Sequence, residues 1–200
     1  GTGEFFSVTK SIHNGLQGFP VSLSAKDWDT HQAVNEDNVD RLRPFLEEAE
    51  IVVIHDPQPA ALLELCPERK GKWVWRAHID ISHPYLPVWK ALQPMVEGYD
   101  ASIFSMSHFA QPLPHPQFLV APSIDPLSEK NIDLSSTEVN AVRADFGLDP
   151  ERPLLVQISR FDRFKDPLGV IEAYRMVQKV LPVQLVLAGG GATDDPEGKA

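Results

Sequence analysis

Apolar positions along the chain follow two rhythms. Over residues 3–18, Phe5, Val8, Ile12 and Leu16 recur at steps of three and four, one face of a helix, and Gly15 and Gly18 mark its end. A second stretch of the same period, about residues 31–49, carries Val34, Val39, Leu42, Phe45 and Leu46. The rhythm then changes to the continuous β-branched run Ile51-Val52-Val53-Ile54, stopped at once by His55-Asp56-Pro57-Gln58-Pro59. That run predicts a parallel strand buried on both faces. Pro59 suits the first turn of a helix over residues 60–65, where its missing N–H costs nothing.

The alternation repeats, with strands expected at 73–78, 101–106 and 118–121 and a helix at 86–99. Pro87 and Pro94 fall within that helix and predict a kink or a split. Short buried strands alternating with helices signify an α/β fold with a parallel sheet and right-handed crossovers. Between residues 122 and 134 the alternation stops, and Pro122-Ser123-Ile124-Asp125-Pro126 followed by polar residues reads as a linker. Ser136 or Thr137 then caps a helix ended by Gly147, and strands at 153–159 and 183–188 flank a helix at 167–181. The expected organisation is therefore the C-terminal part of a first Rossmann-like domain over 1–121, a linker over 122–134 and the first part of a second over 135–200. Two strands are few for an open α/β sheet. The expectation is a piece of a longer protein, or a sheet edge covered by something else.

Composition narrows the partners. The formal net charge of −10 and the lack of any Lys/Arg-rich run make nucleic acid an unlikely partner, since a phosphate backbone is repelled. A single cysteine, Cys66, cannot build a disulfide within the chain, which suits a reducing compartment. No apolar run approaches the ~18 residues of a membrane span. A cytoplasmic, soluble protein without a membrane partner is expected.

The chemistry concentrates at strand ends. In Gln157-Ile158-Ser159-Arg160-Phe161-Asp162-Arg163-Phe164-Lys165-Asp166, a buried strand turns into a helix, and ligands of open α/β sheets bind outside such carboxyl ends. Arg160 offers a planar fork of donors and Lys165 a compact charge, and together they can grip the two phosphates of a diphosphate. The helix N-terminus at Pro167 adds to the same field. Two solvated loop charges fit that spacing equally well. His55 and His78 both follow strands, and the ring of His78 can donate to a sugar hydroxyl; a purely structural hydrogen bond is the plainer alternative. Asp80 and His83 read as a general-base pair only if a nucleophile stood beside them, and none is recognisable. Gly189 and Gly190 close the last strand, where missing side chains let a nucleotide approach the backbone, or simply make a turn. No His/Cys/Asp set has metal-ligand spacing.

Ser159-Arg160-Phe161-Asp162 with Lys165-Asp166 resembles the Arg…Lys loop of the retaining GT-B glycosyltransferases of family four. His55-Asp56-Pro57-Gln58-Pro59, Trp75-Arg76-Ala77-His78-Ile79-Asp80 and Pro122-Ser123-Ile124-Asp125-Pro126-Leu127-Ser128-Glu129-Lys130-Asn131 resemble the trehalose synthases of the glycosyltransferring type within that family. So do Glu4-Phe5-Phe6-Ser7-Val8-Thr9-Lys10 and His13-Asn14-Gly15-Leu16-Gln17-Gly18. The resemblance implies two Rossmann-like domains closing over a donor in the cleft between them, a nucleoside-diphosphate glucose as donor and glucose as acceptor. It implies that Arg160 and Lys165 hold the diphosphate, that His78 faces the donor sugar, and that Gly189 and Gly190 lie beside the nucleotide. It implies no metal and no cofactor. The family's Gly-rich loop and its downstream acidic pair have no counterpart in these 200 residues, so the chain by itself is expected to be inactive. The alternatives are a trehalose phosphorylase-like enzyme, which shares the His-Asp-Pro-Gln-Pro run, and a non-catalytic sugar- or nucleotide-binding module that self-associates through its open sheet edge as a homo-oligomer.

Overall fold

A computed structural model describes residues 3–162 and 165–190. The chain divides into two compact units, Gly1–Ile124 and Asp125–Ala200. Each is built from parallel strands with helices between them.

The first unit opens with α1 (Gly3–Leu16) and α2 (Ala25–Leu46), then alternates β1 (Ile51–His55), a 3-10 turn (Ala60–Leu63), β2 (Lys72–Ala77), α3 (Leu86–Glu97), β3 (Ala101–Phe104) and β4 (Gln117–Leu119). The four strands pair in chain order, all parallel. A sheet whose strands follow one another in sequence, joined by crossovers of one hand, carries all its connections on one face. The core lies there: Val52 and Ile54 of β1, Trp73 and Trp75 of β2, and Phe104 of β3 pack with Ile12 and Leu16 of α1 and Leu92 and Val96 of α3. Trimming either buried tryptophan to alanine would cost about 3–5 kcal/mol.

That one-sidedness corrects the expectation for β1. Its residues alternate exposed and buried, with Ile51 67% and Val53 44% exposed. β1 is an edge strand whose second face is uncovered by the described residues, so a continuous β-branched run here does not signify burial on both sides.

Other departures have local causes. The segment after Pro59 makes a 3-10 turn over Ala60–Leu63, shorter than the helix expected. α3 is a single helix: Pro87 sits in its first turn, where no N–H is needed, and Pro94 is accommodated without a break. α2 begins at Ala25, earlier than the apolar period suggests, because Ser24 forms a capping box with Asp27. Its buried stripe is His31, Asn35 and Val39, while Phe45 is 73% exposed.

The second unit carries α4 (Ser136–Asp145), β5 (Leu154–Ile158), α5 (Pro167–Val177) and β6 (Gln184–Ala188). β5 and β6 form a two-stranded parallel sheet. Ser135, one residue ahead of the expected cap, closes α4 through a capping box with Glu138, and Gly147 ends it at φ +63°. The apolar residues Val156, Ile158 and Phe146 stay exposed. They line a groove of about 870 Å³ together with Val139 and Val142 of α4. Among the described residues no helix is long and apolar enough to cross a membrane.

Candidate functional site

In the first unit the carboxyl ends of β1 and β2 are adjacent, and the chain leaving β1 bends sharply. Asp56 adopts φ +62°, a left-handed conformation that aspartate tolerates better than most residues. Three hydrogen bonds hold it there. Its N–H donates to the Arg76 carbonyl (2.9 Å), its carbonyl accepts from the Trp75 indole (3.0 Å), and its Oδ1 accepts the backbone N–H of His78 (2.8 Å). The turn therefore fixes the start of the loop that carries His78.

The two strand-end histidines meet. His55 Nδ1 lies 2.8 Å from His78 Nε2, and the ring planes differ by 10° with centroids 5.1 Å apart. Near-coplanar rings at that separation are joined edge to edge through one N–H···N bond. Both rings are exposed. His78 is thus placed beside His55, a pairing that spacing along the chain did not reveal.

Behind this pair, α2 braces the Asp56–Pro59 loop. The fully buried His31 bonds through Nε2 to the Pro57 carbonyl (3.0 Å), and Asn35 donates to the Gln58 carbonyl (3.0 Å). A carbonyl only accepts, so Nε2 carries the proton. Burial holds the His31 ring below its ordinary 6.5, outweighing the loop carbonyls that favour its charged form. Sequence reasoning missed both residues; their signal is a polar pair at i, i+4 inside an otherwise amphipathic helix.

Arg76 was missed as a structural element too. Only 7% exposed, it reaches from β2 across β3 to the Val120 carbonyl (2.8 Å) and Ser105 Oγ (3.3 Å), tying the last strand to the sheet. Asp80 is not paired with His83. Its Oδ1 accepts from the Ser82 N–H (2.9 Å) and hydroxyl (2.6 Å). Burial pushes the Asp80 carboxyl up, but these bonds and the nearby His108 and His83 bring it below the usual value. The general-base pairing is not formed.

In the second unit, Arg160 and Lys165 occupy one corner between β5 and α5, and Asp162 links them. Its side chain is 3% exposed; Oδ2 lies 3.3 Å from the Arg160 guanidinium and Oδ1 accepts the Lys165 backbone N–H at 3.2 Å. The Lys165 carbonyl accepts from the Gln157 side chain (2.6 Å), which ties the corner to β5. Lys165 is exposed, and the Arg160 side chain is 54% exposed. Asp166 caps α5 at φ +46°, its carboxylate accepting the Gly169 N–H. The first turn of α5 is therefore already met by a carboxylate of the chain itself, which reduces what its N-terminus offers a phosphate.

The two glycines differ. A Cβ on Gly189 would fall 1.8 Å from the Ser159 carbonyl, so the close pass of β6 against β5 requires glycine there. Among the described residues nothing lies within 4 Å of a Cβ placed on Gly190, and its carbonyl accepts from the Phe161 N–H (3.4 Å). Ser159 Oγ is buried beside them with no partner among the described residues. Also among those residues, no cluster of three or more metal-binding side chains occurs.

Residues 1–111 match the family model described as trehalose synthase, N-terminal domain. The chain belongs to that family. Over 202 residues it is 45% identical to the trehalose synthase of Thermococcus litoralis, covering 99% of this chain and 48% of that protein. The trehalose synthase of Rubrobacter xylanophilus is 44% identical over 203 residues, with 99% and 49% covered. The chain thus spans about half the length of the curated relatives it matches. Among solved structures, one from Escherichia coli described as trehalose-6-phosphate bound with UDP-2-fluoro glucose aligns with a TM-score of 0.74 at 14% identity, covering 98% of this chain and 53% of that one. The N-terminal domain of a Candida albicans trehalose-6-phosphate phosphatase aligns at 0.73, also at 14%, covering 98% and 50%. At such identity the likeness speaks for fold alone, and the fold is the expected α/β arrangement of the GT-B type.

Proposed function

We propose that the protein carrying this trehalose synthase family chain is a retaining glycosyltransferase that moves glucose from a nucleoside-diphosphate glucose to free glucose, forming trehalose. The observation that carries the reading is the β5–α5 corner, where one buried carboxylate organises Arg160 and Lys165. The names of the 44–45% identical relatives support the product, and a UDP-sugar analogue bound to a protein of the same fold supports the donor.

The diphosphate gains charge as its bond to the sugar breaks. Fixed cations at that point stabilise the transition state more than the ground state. Arg160 supplies a fork for the diphosphate oxygens and Lys165 a point charge; the open backbone at Gly190 lets the nucleotide lie close. His78 orients the donor glucose through a hydroxyl. With no protein nucleophile assigned, the acceptor approaches on the face from which the phosphate leaves, and the departing phosphate oxygen takes the acceptor's proton. The reading uses two side chains for neutralisation and includes no metal and no cofactor. We propose also that these 200 residues alone transfer little glucose, since the two-stranded sheet of the second unit leaves an apolar face uncovered.

A protein that carries this chain at the length of its relatives is incubated with nucleoside-diphosphate glucose and glucose. Trehalose formation with release of nucleoside diphosphate is expected, and Arg160→Ala and Lys165→Ala each cut turnover roughly 10²–10³-fold. Phosphate-dependent trehalose breakdown in place of transfer, or full turnover in either variant, would overturn the reading.

A further inference from the structure

The pairing of His55 with His78 assigns a role to a residue that the proposed reaction leaves unused. Each imidazole has two nitrogens. The N–H···N bond occupies Nδ1 of His55 and Nε2 of His78. Among the described residues neither His78 Nδ1 nor His55 Nε2 makes a hydrogen bond, and both rings are exposed at the carboxyl edge of the sheet. The backbone of His78 is separately pinned by Asp56 at 2.8 Å. Ring and backbone are therefore fixed by different residues, and the ring nitrogen of His78 left to meet a ligand is Nδ1.

One proton lies between the rings, and its side decides what His78 offers. If His55 Nδ1 donates, neutral His78 carries its own proton on Nδ1 and is a donor towards a ligand. If His78 Nε2 donates, Nδ1 is a bare acceptor. A lone exposed imidazole in water samples both tautomers and several ring orientations. A sugar hydroxyl held against it would then have to select one of them. We propose that His55 is a positioning residue: its bond to His78 Nε2 fixes the ring plane and ties the tautomer of His78 to that of His55, so that His78 meets a hydroxyl of the bound sugar through Nδ1. The sugar as ligand rests on the transferase reading above. The pairing of the rings does not.

The environment suits this role. β1 ends at His55 opposite Arg76 of β2, and His78 follows just past the end of β2, where its ring meets that of His55. β1 carries the Cα of His55, and the Asp56 side chain holds the backbone of His78 just past the end of β2. His31 and Asn35 hold that loop from behind. The assembly spends two exposed histidines on one contact, which packing does not require.

The test has two arms. In long-range ¹H–¹⁵N spectra of the 200-residue chain, the ring-nitrogen shifts of His78 are expected to be separated from the averaged values of an unpaired imidazole and to change together with those of His55. His55→Phe, checked for an unchanged melting temperature, should bring them towards the averaged values of an unpaired imidazole. His55→Asn, whose amide can still bond Nε2, should restore part of the separation. A His78 spectrum indifferent to both substitutions would sink the proposal. In a protein at the length of the relatives, His55→Phe should lower kcat about ten- to a hundredfold with a smaller change in KM for the nucleotide sugar, and His55→Asn should recover part of it. Unchanged kcat in His55→Phe would overturn the positioning role. If the wild type transfers no glucose while the spectra behave as expected, the transferase reading fails and the histidine pair stands.

Discussion

The Asp56 turn can be taken apart by three substitutions whose order follows from its geometry. The side chain contributes one hydrogen bond, Oδ1 to the His78 N–H at 2.8 Å, and the backbone sits at φ +62°. A bond of this kind, partly exposed, is worth about 1 kcal/mol. The left-handed conformation costs alanine about 1 kcal/mol more than glycine. Asp56→Asn keeps an oxygen acceptor and tolerates positive φ, so the change should be within about 0.5 kcal/mol. Asp56→Gly loses the bond but not the conformation, for a loss of about 1 kcal/mol. Asp56→Ala loses both, for about 2 kcal/mol. All four tryptophans, Trp28, Trp73, Trp75 and Trp89, lie in the first unit, so urea unfolding followed by indole fluorescence isolates it from the second. The Trp75 indole, bonded to the Asp56 carbonyl, should also report local loosening. The reasoning is refuted if alanine proves no worse than glycine, or if asparagine is as damaging as alanine.

Two predictions concern acid. His31 is held below its ordinary 6.5 by burial, so the folded chain keeps it neutral while the unfolded chain takes up a proton. Its contribution is complete above 6.5 and is lost as the pH falls below that value. His31→Gln should therefore flatten the stability profile of the first unit between about pH 7.5 and about pH 5; an unaltered slope would contradict it. Asp100 is held below 3.8 by the Lys72 ammonium at 2.7 Å and by the Trp73 N–H. Its contribution is present above 3.8 and lost as the pH drops further. Asp100→Asn should make the acid limb shallower by a small amount, as expected for a partly exposed pair, in unfolding curves collected on either side of that value.

Much of the strand and helix order was legible because the signal is periodic and local. Ile51 to Ile54 form a strand as their β-branched run suggests, and the helix that Ser135 starts with Glu138 was read to within one residue of its cap. What was not legible depended on arrangement. The number of faces a strand buries is set by strand order and crossover hand, which no window of β-branched residues carries. α2 shows the same limit from the other side. Its apolar residues suggested a face through Leu42 and Phe45, yet the buried stripe is His31–Asn35–Val39. Those polar residues are drawn inward because two carbonyls of a loop 23–26 residues away need donors.

The candidate residues were legible in the sequence, and the contacts each one makes were not. His78 and Arg160 lie just past the ends of β2 and β5, and Lys165 just ahead of α5, where the chain pattern placed them; the aspartates that bond to their backbone or side chain carry no periodic signal. The same device serves in both units. Asp56 Oδ1 accepts the N–H of His78, and Asp162 Oδ1 accepts the N–H of Lys165. In each case a short acidic side chain in the loop fixes the backbone of a residue further along and leaves that residue's own side chain uncommitted by the contact. For Lys165 this matters most, because a flexible four-carbon stem is a poor anchor for a charge unless its root is fixed. Under the proposed function Asp162 has a second effect: its negative charge beside Arg160 offsets part of that side chain's attraction for the donor diphosphate. A neutral acceptor such as asparagine would hold the Lys165 N–H as well and leave the Arg160 charge without a carboxylate from that position beside it. An acid at that position exchanges some binding strength for a defined guanidinium orientation.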